Sequence, residues 1–180
     1  MPATDKLTTE QADAVAVMRD GPRGDVPGPF IALLRSPELM LRLQAVGNYL
    51  RFGDTVAMTP AVRELVVLII ARHWTQRFEW SRHRGYAVAA GVPEAVCDAI
   101  AEGRHPDGLS TQLAATYELV SELLRNHAVS QHTFDRALQE LTDQGVVEVI
   151  AHAGYYALLA MVMNAAGTPY PRNVGLSSLP

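Results

Sequence analysis

Hydrophobic and polar positions divide this chain into stretches of helical period, separated by Gly, Pro and small polar residues. Residues 5–20 are amphipathic and stop at Gly21. Residues 21–35 read as an arm, because GPRGDVPGPF at its start is dense in backbone breakers and has no period of its own. Ser36-Pro37 is a helix start, a capping residue followed by a proline at the first helical position. The spacing after it predicts about four turns with Leu39, Leu43, Val46 and Leu50 on one face. Thr59-Pro60 repeats the start signal. The next helix is apolar nearly all round, with Leu65 to Ala71 uninterrupted, which predicts a buried central helix. A second helix over 76–90 ends at Gly91 and completes a hairpin. Pro93 opens a short helix closed by Gly103, Ser110 one that runs to about 126, and Ser130 one that runs to about 143. Residues 145–166 form a last apolar helix, and 167–180 a Pro- and Gly-containing tail. No stretch alternates like a strand between turns. The pattern therefore predicts an all-α fold of seven or eight helices around a central hairpin, in one domain spanning 1–180.

Composition narrows the classes. With 180 residues, 48% of them hydrophobic, the chain can bury a sizeable core. A net charge of −4 with mixed signs gives no basic stripe for nucleic acid. No uninterrupted apolar run approaches the ~20 residues that cross a bilayer. The start, MPATDKLTTEQ, has no basic segment followed by an apolar one, so no signal peptide is expected. The expectation is a cytoplasmic protein with a small-molecule substrate and neither a nucleic-acid nor a membrane partner. The single cysteine, Cys97, cannot form an internal disulfide or a CxxC pair, and its short amphipathic helix gives it a packing role.

The candidate chemistry lies in the hairpin. Glu79 and His83 are four apart and share one helix face, and Glu64 stands on the preceding helix. A carboxylate beside an imidazole, with a second carboxylate from a neighbouring helix, can move protons. A surface ion pair would use the same spacing. Phe78, Trp80 and Tyr86 flank the pair, and aromatic rings there would lower the local dielectric and hold an unsaturated ligand. The last helix adds His152, Tyr155, Tyr156 and Asn164. Glu148 and His152 repeat the i,i+4 spacing, so two pairs could in principle build a metal centre, although di-iron bundles use Glu-x-x-His at i,i+3.

The spaced residues Arg63-Glu64-Leu65, Ala71-Arg72, Glu79-Trp80, His83, Ala87, Ala90-Gly91-Val92 and Ile100 resemble the carboxymuconolactone decarboxylase family, over roughly residues 36–126. The alkylhydroperoxidase D (AhpD-like) proteins are its other well-known branch. The resemblance implies an all-helical AhpD-like bundle, assembled as a homotrimer or hexamer, with a pocket lined by the hairpin near a subunit interface. In the peroxidase branch a CxxC precedes the histidine, and a glutamate lies twelve residues before the first cysteine. Here Glu64 lies twelve before Gln76, and Gln76 and Glu79 occupy the two cysteine positions. Without a thiol there is no thiolate chemistry. The resemblance thus implies the cysteine-free, decarboxylase-type branch, acting without a cofactor or metal on a small unsaturated acid or lactone.

In that setting His83 is the natural proton donor and acceptor, because its ordinary pKa is closest to neutrality. Glu79 would orient the ring, and Glu64 would relay a proton through water or raise its neighbour's pKa. Gln76, Trp80, Tyr86, His152 and Tyr156 are the candidates for contacting substrate. Arg72 and Arg82 are candidates for holding a substrate carboxylate. The competing expectation is a non-catalytic binding or accessory protein on the same scaffold, in which aromatic side chains would fill the pocket.

Overall fold

In the computed structural model, which describes residues 7–170 and Leu179, eight helices and no strand occur among the described residues. They are α1 (Thr9–Asp20), α2 (Gly28–Leu33), α3 (Pro37–Phe52), α4 (Pro60–His73), α5 (Arg77–Ala89), α6 (Glu94–Ala101), α7 (Thr111–Asn126) and α8 (Gln131–Ala166). Most starts carry a side-chain cap. Thr8 and Gln11 form a reciprocal capping box on α1. The side-chain oxygens of Thr59, Ser110 and Ser130 accept from the backbone N–H three residues on.

α4 is the axis of the molecule. Nearly every residue from Val62 to Ala71 is buried, and α4 packs against α5, α6, α7 and α8. A helix apolar on all sides is stable only if neighbours cover every face, and these four do so. The turn into α5 places Thr75 at positive φ. Asn164 of α8 fastens it, giving a hydrogen bond to the Trp74 carbonyl at 2.8 Å and taking one from Gln76 at 2.9 Å.

Three sequence expectations shift. The arm 21–35 is not all loop, because α2 forms within it and packs on α3 and α8. α3 turns a different face inward: Met40, Gln44, Gly47 and Leu50 are buried, while Leu39 and Val46 are about half exposed. Gly47 explains the rotation, since the space a side chain would take there is filled by Tyr155 of α8. Finally, the two helices expected over 130–166 run on as α8, broken in geometry only at Thr142 (φ 68°, ψ 166°). By length and composition α8 could cross a membrane, but 56% of its most apolar window is buried inside this fold. Of the tail, Gly167 caps α8 in the left-handed conformation, and Tyr170 accepts a hydrogen bond from Arg77 at 2.9 Å. Residues 171–178 and 180 lie outside the described residues.

Candidate active site

Four elements bring ionisable groups to one point. α4 carries Glu64, α5 carries Glu79 and His83, the last turn of α3 carries Arg51, and α8 carries Tyr156. His83 lies between the two carboxylates. Its Nδ1 is 2.5 Å from Glu64 Oε2 and its Nε2 is 3.1 Å from Glu79 Oε2. All three side chains are buried. Arg51 reaches Glu64 Oε1 at 3.2 Å through one guanidinium nitrogen and donates to the Tyr156 hydroxyl at 2.6 Å through another.

This geometry favours a protonated imidazole. A carboxylate oxygen on each side of an imidazole is satisfied only if both ring nitrogens carry protons. Burial pushes His83 down, but its bonds to Glu64 and Glu79 outweigh that and hold it above its ordinary value. Burial likewise pushes Glu64 up, and His83 with Arg51 brings it below the usual carboxylate range. With both ring nitrogens protonated, His83 and Arg51 set two positive charges against Glu64 and Glu79.

One side of the cluster faces a cavity of about 370 Å³. Glu79, His83, Tyr86 and Tyr156 line it, with Phe30, Phe52, Phe78 and Tyr155 as further aromatic walls. The aromatic side chains thus border an open space and do not fill it. Glu64 is not among the lining residues; it stands behind His83 and bonds the ring directly. Burial raises the phenols of Tyr155 and Tyr156, that of Tyr155 to about 12, which keeps both neutral.

Of the other sequence candidates, Tyr86 and Tyr156 reach the cavity and three do not. Gln76 caps α5, its side-chain oxygen taking the Phe78 and Glu79 N–H groups, so its position serves the helix start. Trp80 is core and does not line the cavity. His152 is fully buried behind Tyr156, with ring centroids 4.8 Å apart. Burial, with Arg51 and His83 nearby, pushes it down to about 3, which keeps it neutral. Glu148 does not join His152: it accepts from Tyr49 at 2.5 Å, from the Ala57 N–H at 2.7 Å and from Gln144 at 2.8 Å, tying the α3–α4 loop to α8. Among the described residues no group of three His, Cys, Asp or Glu is placed to hold a metal ion.

The cations also differ from expectation. Arg72 lies away from the cavity, beside Gly103 and Tyr117. Arg82 lines it at an exposed position. The sequence reading missed Arg23 and Arg51, which also line it. Arg51 is the last basic residue of an ordinary amphipathic helix and carries no signal of its own. Arg23 sits among the breakers of the arm, and only the tertiary fold brings it to α8.

No family model and no curated protein matches the sequence. Two solved structures are similar in fold. One is described as an alkylhydroperoxidase AhpD core, an uncharacterized peroxidase-related protein from Ralstonia eutropha JMP134. It is 18% identical, with a TM-score of 0.74, over 95% of this chain and 90% of that one. The other is an uncharacterized peroxidase-related protein from Silicibacter sp. TM1040, 14% identical with a TM-score of 0.71 over the same shares. At such identities the likeness speaks for architecture, and over nearly its whole length this chain has the AhpD-like fold.

Proposed function

We propose that the protein is a proton-transfer enzyme of the carboxymuconolactone decarboxylase type, acting on a small unsaturated acid or its lactone. The observation that carries this reading is His83, bonded through both ring nitrogens to two buried glutamates at the wall of an aromatic cavity. Loss of carbon dioxide from such a substrate breaks the carbon–carboxylate bond and leaves its electron pair on carbon. The conjugated system delocalises that pair as an enolate, which then needs one proton. The transferable proton is the one shared by His83 Nε2 and Glu79 Oε2, because both residues border the cavity. Glu64 keeps the second proton on Nδ1, and Arg51 balances the charge of Glu64 throughout. Solvent returns the spent proton, and the raised pKa of His83 favours its return.

A thiol peroxidase reaction does not suit this chain. Its one cysteine is buried on α6, and Gln76 and Glu79 serve as helix cap and histidine partner. As an assembly we favour a homotrimer or hexamer, since α3 and α8 leave Val46, Tyr49, Val147 and Ile150 exposed.

The test is incubation in D₂O with carboxymuconolactone and related unsaturated lactone acids, following carbon dioxide release and deuterium at the product carbon. Turnover with one deuterium per carbon dioxide is expected. No release and no exchange across the panel overturns the proposal.

A further inference from the structure

We propose that Arg23 and Tyr155 form the subsite that holds the carboxylate of a planar unsaturated acid in this cavity. The inference rests on the reading of this cavity as a substrate pocket. Arg51 is committed to Glu64 and Tyr156, and His83 to its two glutamates. Arg23 differs. Its Nε and Nη2 are buried without a hydrogen-bond partner, and the Tyr155 hydroxyl, on a residue 5% exposed, is also buried and unpartnered. Both residues line the cavity. Unpaired donors away from water are costly, and a guanidinium more so than a neutral group.

The surroundings fix where these donors sit. The Arg23 guanidinium lies over Phe30 and Phe52, 5.1 and 5.6 Å from the ring centroids. Gly47 of α3 lets it meet Tyr155: a Cβ on that glycine would stand 2.7 Å from Arg23 Nη2 and 2.6 Å from Tyr155 Cζ. The charges at and behind the cavity wall then have a remainder. Glu64, Glu79, His83 and Arg51 cancel one another. Asp25, which already accepts from the Val26 N–H, and Arg82 are both exposed at the rim. Arg23, a half-buried residue, is left as one positive charge whose buried Nε and Nη2 have aromatic faces beside them and no hydrogen-bond partner. A carboxylate supplies the missing charge and accepts from a guanidinium fork and a phenol together. The flat body of the same ligand would then lie among Phe78, Tyr86 and Tyr156, beside the His83–Glu79 pair.

Benzoate serves as an inert planar carboxylate and benzamide as its neutral counterpart, with binding read by titration calorimetry on the full-length protein. Benzoate is expected to bind at least roughly tenfold tighter than benzamide, as a charge-assisted bond predicts. Arg23→Gln and Tyr155→Phe are each expected to weaken benzoate while leaving benzamide unchanged. Arg23→Lys, which keeps the charge without the fork, should fall between wild type and Arg23→Gln. Arg42→Gln, at an exposed pair on α3, should bind as wild type does. Thermal melts of each variant establish that it is folded. Equal binding of the two probes, no binding of benzoate, or a folded Arg23→Gln with wild-type affinity overturns the subsite. Arg23-dependent benzoate binding in a protein that never releases carbon dioxide would preserve the subsite and remove the proposed reaction. Turnover insensitive to Arg23 would do the reverse.

Discussion

Glu64 Oε2 lies 2.5 Å from His83 Nδ1, and each residue shifts the other towards its charged form. The two shifts act at opposite ends of the pH scale. Glu64 is depressed below its ordinary 4.5, so its contribution to stability is present above that value and is lost as pH falls through the folded-state pKa. His83 is raised above 6.5, so its contribution is complete below that value and is lost as pH rises through the folded-state pKa. The pair should stabilise the fold most between 4.5 and 6.5. Melting temperature measured across about pH 4 to 9 should show this as the difference between wild type and His83→Gln, falling on both sides of that window. A flat difference curve would mean that the pair is not ionised as the geometry requires.

The three acid–base residues should not weigh equally in turnover. His83→Ala removes the proton carrier and is expected to cost about 10²–10⁴-fold in kcat on the true substrate. Glu79→Gln should cost less, because the amide oxygen can still accept from Nε2 and orient the ring. Glu64→Gln should shift the pH profile of kcat towards acid, since His83 loses the bond that most raises its pKa. Steady-state kinetics with the identified substrate decides the order, and an unchanged rate in His83→Ala would end the mechanism.

Much of this centre was legible in the sequence, for a definite reason. Glu79 and His83 are joined by helical periodicity, and the Thr59–Gly91 segment spells out a hairpin that must fold Glu64 back over them. Arg51 and Arg23 were not legible, because their place depends on how α3 and the arm dock on α8. That docking turns on Gly47, a small residue in an otherwise larger helix face. The same contact moved the buried stripe of α3 from Leu39, Leu43 and Val46 to Met40, Gln44 and Gly47. Gln76 misled for another reason: its position in the motif suggested substrate contact, while a glutamine just before a helix can also serve as its cap.

Gly47 should not tolerate a side chain. Alanine there would press on Tyr155, whose ring is already set edge-on against Tyr156 with centroids 5.4 Å apart. Overpacking of this kind costs about 1–3 kcal/mol, which outweighs the helix-propensity gain of up to ~1 kcal/mol. Gly85, exposed on α5 with open space around its missing Cβ, should show the propensity gain alone. Thermal unfolding should thus lower the midpoint for Gly47→Ala and raise it for Gly85→Ala. Two midpoints moving the same way would show that the α3–α8 approach is looser than described.

Cys97 should be chemically silent. It is fully buried, and burial pushes its thiol up to about 11, so almost no thiolate exists near neutrality. Ellman's reagent should label it only after unfolding, and Cys97→Ser should leave turnover unchanged. Peroxide reduction coupled to a dithiol and lost in that variant would show that this thiol does react.

The apolar face shared by α3 and α8 should be covered by another copy of the chain. Val147 is 66% exposed and lines a groove with Val46, Tyr49, Ala45 and Ala151, and Ile150 on the same helix is also exposed. Phe52, one turn beyond Tyr49, is about half exposed and borders the cavity, so an interface on this face would reach the rim of the site. Contiguous apolar surface of this kind on a soluble protomer marks an association site. A charge placed in its middle would have to be buried unpaired on assembly, which is strongly unfavourable. Light scattering should report a trimer or hexamer for the wild type and a smaller species for Val147→Glu. Val147 neither lines the cavity nor takes part in the Glu64–His83 ion pair, so the variant should keep the pH-dependent stability of that pair even as a monomer. A wild type that is monomeric at micromolar concentration, or a Val147→Glu protein of unchanged mass, would place the subunit contact elsewhere or remove it.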